Sequence, residues 1–248
     1  MIFLMFILKW FKHCFLMRGE KVVYNETKTH EVTVDVVIFT IEDDKLKVLL
    51  VKRANEPFKG KWAIPGGFIR LSETLDSAAL RILKEKTNVQ NIYLEQLYMF
   101  GDPKRHPNAR VITCAYFALI RSDDIVLSNE NDDQTTQVEW HRVYDLPPLA
   151  FDHKEIIEYS LKRTRERLDF CPIAFQLLPE KFTLTELQKS YELITAKKFD
   201  KRNFRKKMLS ASMLKELDEF TKSASKRPAR LYSFDNITLN SKRGHFFS

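Results

Sequence analysis

Between Thr33 and Glu42 the chain is crowded with β-formers: Val34, Val36, Val37, Ile38, Phe39 and Ile41. That pattern predicts a strand, and the polar triplet Asp43-Asp44-Lys45 predicts the turn into a second one over Leu46–Val51. The stretch from Gly60 to Gly67 carries Trp62, Pro65 and glycines and reads as a loop. From about Ser72 to Thr87 the period changes. Leu75, Ala78, Ala79, Ile82 and Leu83 fall on one stripe of a helix. Strands are expected near Ile92–Phe100, Arg110–Ile120 and Gln137–His141, and Leu146-Pro147-Pro148-Leu149 interrupts the pattern. A helix then begins near Asp152, a good N-cap residue, and runs toward Asp169 with Ile156, Ile157, Tyr159, Ser160, Leu161 and Leu168 on its apolar face.

Beyond Cys171-Pro172 the pattern becomes helical and basic, and this dipeptide is taken as a domain boundary. Thr183-Leu-Thr-Glu186 spells a capping box, followed by the stripe Leu184, Leu187, Tyr191 and Ile194. A short turn, Ala196 to Phe199, leads to Asp200 as the cap of a second helix. The segment Arg227-Pro-Ala-Arg-Leu-Tyr-Ser-Phe234 reads as a β-ribbon.

Charge sharpens this division. Residues 171–248 hold 16 Lys+Arg against 8 Asp+Glu, whereas the preceding part holds 25 of each, so the last part carries the whole net charge of +8. A basic terminal domain on a neutral body points to a polyanion partner. Hydrophobic residues make up 44% of the 248, enough for real cores, and the 30% of charged residues excludes an integral membrane protein. The three cysteines, Cys14, Cys114 and Cys171, form no C-x-x-C pair, which argues against a disulfide framework or a Cys-based zinc site and fits a reducing cytoplasm. Residues 1–16, MIFLMFILKWFKHCFL, are broken by Lys9 and Lys12 and are too short to span a bilayer. They read as an upstream start-site extension before Met17, with a peripheral membrane anchor as the alternative; no stable membrane association is expected.

In the second basic helix, Phe204 and Met208 share the inward face. Arg202, Arg205 and Lys206 then point outward, with Asn203 at one edge. Arg pairs naturally with guanine and Asn with adenine, so this helix suits the major groove of a DNA duplex. Lys201, Lys207 and, on the ribbon, Arg227 and Arg230 are expected at phosphates. The alternative is a solvated basic helix in a module for protein contacts.

From Gly67 to Val89 the chain resembles the Nudix box, matching it at Gly67, Glu73, Arg81, Leu83, Glu85 and Val89; Trp62-Ala-Ile-Pro65-Gly66-Gly67 ahead of it is also typical of that family. The resemblance covers roughly Val32 to Leu146 and implies an α/β (α+β) Nudix fold, a mixed β-sheet sandwiched by helices. Three positions depart from the box: Ile82, Lys86 and Asn88 stand where the family has Glu, Glu and Gly. The family's carboxylates at the places of 82, 85 and 86 share one helical face and hold Mg²⁺ or Mn²⁺ against a substrate diphosphate. Here Glu85 stands alone, and Lys86 puts an ammonium where the cation would sit.

The expectation is a domain that binds a nucleotide diphosphate without cutting it, with no metal or cofactor required and Glu85 as a residual catalytic position. Lys86 would neutralise the diphosphate. Arg53, Gly66, Gly67, Arg105 and Arg110 are further ligand candidates, Arg because it bonds such anions in bidentate fashion. Glu73 and Arg81 are expected to pair structurally, and His106 to serve as a turn residue.

Residues Cys171 to Phe234 resemble the winged helix-turn-helix of the Nudix-related regulators of NAD metabolism (the NrtR type). The resemblance is carried by Pro147-Pro-Leu-Ala-Phe-Asp-His-Lys154, Phe175-Gln-Leu-Leu-Pro-Glu180, Phe182-Thr-Leu-Thr-Glu-Leu-Gln188, Lys201-Arg-Asn-Phe-Arg-Lys-Lys-Met208 and the ribbon segment. It implies a Nudix-like sensor over 17–170, a DNA-binding domain over 171–236 and a tail over 237–248. It further implies a homodimeric repressor on a duplex operator, responsive to ADP-ribose or a related sugar effector. Two rivals remain: an active hydrolase of ADP-ribose-like diphosphates using Mg²⁺ or Mn²⁺, and an adaptor indifferent to DNA.

Overall fold

The computed structural model describes residues 30–90, 92–125, 127, 135–168, 173–211, 213–221 and 228–234. The 1–16 segment, Cys14, Cys171, the proposed boundary at 171–172, Arg227 and the 237–248 tail lie outside them. Among the described residues no helix is long and apolar enough to cross a membrane.

The first strands are β1 (Glu31–Glu42) and β2 (Lys45–Arg53), an antiparallel pair joined by a turn at Asp43-Asp44. Both turn residues have positive φ, which Asp tolerates better than most residues. Next come β3 (Trp62–Ala63), β4 (Gly66–Phe68), α1 (Leu75–Thr87), β5 (Glu95–Phe100), β6 (Val111–Leu119) and β7 (Thr135–Arg142). The sheet runs β3-β2-β1-β6-β5, with β4 added to β1 and β7 to β2. The β1–β6 pair is parallel and the other pairings are antiparallel, so the sheet is mixed as expected.

The crowding of apolar residues in β1 has its reason here. Val34, Val36 and Ile38 point into one layer, together with Leu49, Val51, Cys114 and Tyr116 and with Ala78, Ala79, Ile82 and Leu83 of α1. Val37 and Phe39 point into the other, with Val48, Leu50, Ala115 and Phe117. A central strand covered on both faces cannot alternate with polar residues. The second layer is closed by α2 (His153–Leu168), through Ile156, Ile157 and Leu161.

After a short 3₁₀ turn at Ile173–Leu177 come α3 (Leu184–Thr195), α4 (Lys201–Ser210), β8 (Leu214–Phe220) and β9 (Arg230–Phe234), the last two an antiparallel hairpin. The capping box at Thr183 forms in full, and Asp200 accepts the Asn203 amide at 2.8 Å. Leu184, Leu187, Tyr191 and Ile194 are all buried, along with Phe204 and Met208. Tyr232 joins this layer and pairs with Phe182 through two backbone hydrogen bonds. Two helices joined by a short turn, with a two-stranded ribbon behind them, make a winged helix-turn-helix.

Several boundaries move. The first helix begins at Leu75 rather than Ser72, because Thr74 is the residue whose hydroxyl caps the Ser77 amide. The strand expected from Ile92 starts at Glu95. The presumed loop over 60–67 contains β3 and β4, which pair with β2 and β1. Strand β8 was not expected at all. Asp152 stands just before α2, but its carboxylate is engaged by Arg105.

Candidate functional site

The loop between β4 and α1 places the residues of the Nudix box. Arg81, one-fifth exposed, donates from Nη2 to Glu73 at 2.8 Å and to the Phe68 carbonyl at 3.1 Å, while its Nε also bonds Glu73. Glu73 accepts the Arg70 amide at 3.0 Å as well. These bonds, led by the one from Arg81, hold the Glu73 carboxyl down at about 2. The pair thus ties the loop to the helix. Asn88 ends α1 in the left-handed conformation with φ 63°. That accounts for the family's glycine at this place, since Asn is the next residue best suited to such a C-cap.

Glu85 faces solvent on the wall of a cleft of about 410 Å³ that it lines with Arg81, Lys84 and Asn88. Its two oxygens are held by two guanidinium groups: Arg81 Nη1 at 2.9 Å and Arg70 Nη2 at 3.2 Å. Ile82, where the family has a carboxylate, is buried and packs on Gly67. Lys86 is partly exposed on the next position of the helix. Sequence reasoning overlooked Arg70, because it lies outside the box pattern and its partner is fifteen residues away.

The remaining ligand candidates divide. Arg53 is half-buried, donates to the Pro57 carbonyl at 2.8 Å and lies 4.9 Å over the Phe151 ring. Arg110 is partly exposed, with long bonds to the Asp102 and Val111 carbonyls. Arg105, expected as a ligand residue, has its guanidinium engaged by two carboxylates. It is buried and donates to both oxygens of Asp152, at 2.8 and 2.9 Å, and to Asp35 at 3.3 Å. His153 completes the cluster: its Nδ1 accepts the Ile64 amide at 2.9 Å and its Nε2 lies 3.7 Å from Asp35, with burial pushing its pKa below the usual range. Gly66 belongs to the same cluster, since a Cβ there would lie 1.9 Å from Asp35 Oδ1. Its role is therefore close packing against β1. His106 is a turn residue that accepts the Asn108 amide and stacks on Phe151.

In the C-terminal domain Lys201, Arg202, Asn203, Lys206 and Lys207 are exposed along α4. Arg205 is only partly so; it leans toward the start of α3 and reaches Thr185 Oγ1 at 3.4 Å. Arg230 on the wing pairs with Glu216 at 2.6 Å and sits over Phe220.

Two contacts that sequence reasoning missed hold the end of α3 and the turn that leads into α4. Glu192 knits the turn: it accepts from Gln188 and the Phe199 amide, each at 3.0 Å, and from Lys198 at 2.8 Å. Lys198 above all, then the Phe199 amide and Gln188, hold its carboxyl at about 2. A depressed carboxyl stabilises the fold fully above its ordinary value of 4.5 and loses that contribution as pH falls toward about 2. A Glu192→Gln variant is expected to melt below wild type at neutral pH and to lose less stability on acidification below pH 4.5. Parallel melting curves against pH would show that the turn does not depend on this charge. The second contact crosses between domains. Tyr144, just after β7, donates to the Leu193 carbonyl at 2.7 Å, and Arg165 of α2 donates to Ile194 at 2.8 Å and to the Tyr144 oxygen at 3.2 Å.

A mixed sheet between two helical layers, with a box helix on one side and a winged helix-turn-helix behind the other, defines the class: a ligand-pocket fold joined to a nucleic-acid-binding module. Comparison with known proteins agrees for both parts. The NUDIX domain family model matches residues 29–160 and the NrtR DNA-binding winged helix domain model matches 174–234. The chain is 37% identical over 204 residues to the ADPR responsive transcriptional repressor NtrR of Acinetobacter baylyi, covering 82% of this chain and 81% of that one. It is 36% identical over 118 residues to an ADP-ribose pyrophosphatase of Methanocaldococcus jannaschii, 48% of this chain and 67% of that protein. The crystal structure of Shewanella oneidensis NrtR complexed with a 27mer DNA superimposes with a TM-score of 0.70 at 35% identity, covering 84% of this chain and 95% of that one. The chain belongs to the NrtR family of Nudix-type proteins with a C-terminal winged helix.

Proposed function

We propose that this protein is a transcriptional repressor whose winged helix binds a duplex operator and whose Nudix domain binds ADP-ribose as effector without hydrolysing it. The observation that carries the non-catalytic part is the state of Glu85. A hard divalent cation calls for several oxygen ligands, protein carboxylates usually among them. At this face of α1 the first candidate position is the buried Ile82, the second is Glu85 held by two guanidinium groups, and the third is Lys86. Glu73 is committed to Arg81. This donor set does not fit Mg²⁺ or Mn²⁺, and no hydrolytic step is assigned to it.

The DNA-binding part is supported by the exposed cationic face of α4, by its anchoring through Phe204 and Met208, and by the helix-turn-helix relatives. Tyr144 and Arg165 offer the path between sites. They tie the last carbonyls of α3, at the entry to the turn, to the Nudix domain, so a shift of α2 on effector binding moves the recognition helix. A homodimer with two recognition helices one turn of duplex apart would read a two-fold symmetric operator.

The test is a pair of measurements on the full-length protein. Gel shift with the duplex upstream of its own gene should show binding that weakens steeply with salt and is altered by ADP-ribose. Incubation of ADP-ribose with the protein and Mg²⁺ or Mn²⁺ should leave it intact; multiple turnover would make the protein a hydrolase. Indifference to duplex at low salt would remove the repressor reading.

A further inference from the structure

We infer that Glu85 is a built-in competitor for the effector's diphosphate: its carboxylate occupies Arg70, and binding of the ligand transfers that guanidinium from Glu85 to a phosphate. The inference rests on the effector reading above and adds how the pocket recognises its ligand.

The geometry separates two kinds of arginine. Arg81 is committed on all three nitrogens, to Glu73, Glu85 and the Phe68 carbonyl, and is largely buried. Arg70 is the less committed partner. Its side chain is 62% exposed; among the described residues its one close side-chain contact is Glu85 at 3.2 Å, and its guanidinium comes no nearer to Glu73 than 4.0 Å. Glu85 is 43% exposed and faces the open cleft of about 410 Å³. A carboxylate on the wall of a cleft, held between two guanidinium groups, presents them with one negative charge and two oxygens, as a phosphate does.

The energetics favour exchange. An ion pair this exposed is worth only about 0–1 kcal/mol, so Arg70 leaves it at little cost. A phosphate offers Arg70 a stronger, two-pronged bond, and Arg81 stays in place on Glu73 to hold the loop. The position that serves as a metal ligand elsewhere in the family thus becomes an internal anion. The two readings give opposite signs for one substitution. If Glu85 competes with the diphosphate, removing its charge tightens binding. If Glu85 ligates a metal that bridges to the diphosphate, removing its charge weakens binding.

The experiment is isothermal titration of the full-length protein, wild type, Glu85→Gln and Arg70→Gln, with ADP-ribose and separately with inorganic pyrophosphate. Each titration is run in EDTA and again with Mg²⁺. Glu85→Gln is expected to bind both probes in EDTA about threefold or more tighter than wild type, the gain set by the exposed pair it removes. Arg70→Gln is expected to bind about tenfold more weakly, the loss of a charge-assisted bond. Mg²⁺ should alter neither ranking. Weaker or unchanged binding of pyrophosphate by Glu85→Gln, or unchanged binding by Arg70→Gln, overturns the inference. A Glu85→Gln gain on pyrophosphate with no ADP-ribose binding by any variant would uphold the competitor role and reject ADP-ribose as the effector. Both side chains are substantially exposed, and thermal melting within about 1–2 °C of wild type confirms that each variant is folded.

Discussion

Replacing Arg202 and Lys206 together with alanine is expected to lower operator affinity about a hundredfold while leaving the fold and ADP-ribose binding unchanged. Both side chains are exposed on the outer face of α4, opposite the buried Phe204 and Met208, so their loss opens no cavity. Surface changes of this kind normally move stability by less than about 0.5 kcal/mol. An Arg that bonds a guanine edge is worth about 1–3 kcal/mol of discrimination, and removing a Lys charge from the same cationic face weakens binding to all sequences and lowers the salt slope by about 1. The double variant should therefore show both signatures in fluorescence anisotropy: weaker binding at each salt concentration and a shallower dependence of log affinity on log salt. Asn203 lies on the neighbouring exposed face and is expected to affect sequence preference more than overall affinity. Affinity within about twofold of wild type would mean that α4 does not enter the groove, and the DNA surface would have to be sought on the wing, where Arg230 already engages Glu216.

What the sequence disclosed and what it hid divide by the distance over which the governing forces act. The capping box at Thr183 and the cap at Asp200 are interactions over three residues, and both were legible. The buried stripes of α1 and α3 follow from helical period alone. Strand β8 was not legible, because LKELDEF is composed largely of good helix formers. It is a strand only because β9 supplies the other half of its ladder, a tertiary effect that overrides local preference. The short strands β3 and β4 were hidden for a similar reason: their residues look like a loop until β1 and β2 lie beside them. In the site, the Glu73–Arg81 pair was readable from a known spacing. The Arg70–Glu85 pair, the Glu192 network and the clamp of Tyr144 and Arg165 on α3 match no spacing rule. The partners of Arg105 were hidden for the same reason. A loop arginine beside His and Pro resembles a ligand residue, and nothing local reveals two carboxylates arriving from 70 and 47 residues away.

Arg105 carries the second large effect, and it falls on stability. Its side chain is 5% exposed, between Asp35 at 6% and Asp152 at 14%. Removing the cation by Arg105→Met leaves two carboxylates buried without their counter-charge, beside an imidazole whose Nδ1 is already used by the Ile64 amide. Breaking one side of such a buried network costs about 3–5 kcal/mol, which for a chain of this size lowers the melting temperature by about 10 °C. The companion triple variant Asp35→Asn, Arg105→Met, Asp152→Asn removes the charges together and should recover much of that loss, because the penalty comes from uncompensated charge rather than from lost packing. Arg110→Ala, at the other end of the same loop, is expected to change stability by less than about 0.5 kcal/mol, since that side chain is partly exposed and makes only long bonds to carbonyls. Because Asp152 stands at the entry to α2, and Arg165 near the far end of that helix holds the turn before the recognition helix, loosening the cluster should also weaken the control of DNA binding by effector. If Arg105→Met melts within about 3 °C of wild type, the cluster tolerates its own charge, and α2 must be seated by its apolar face alone.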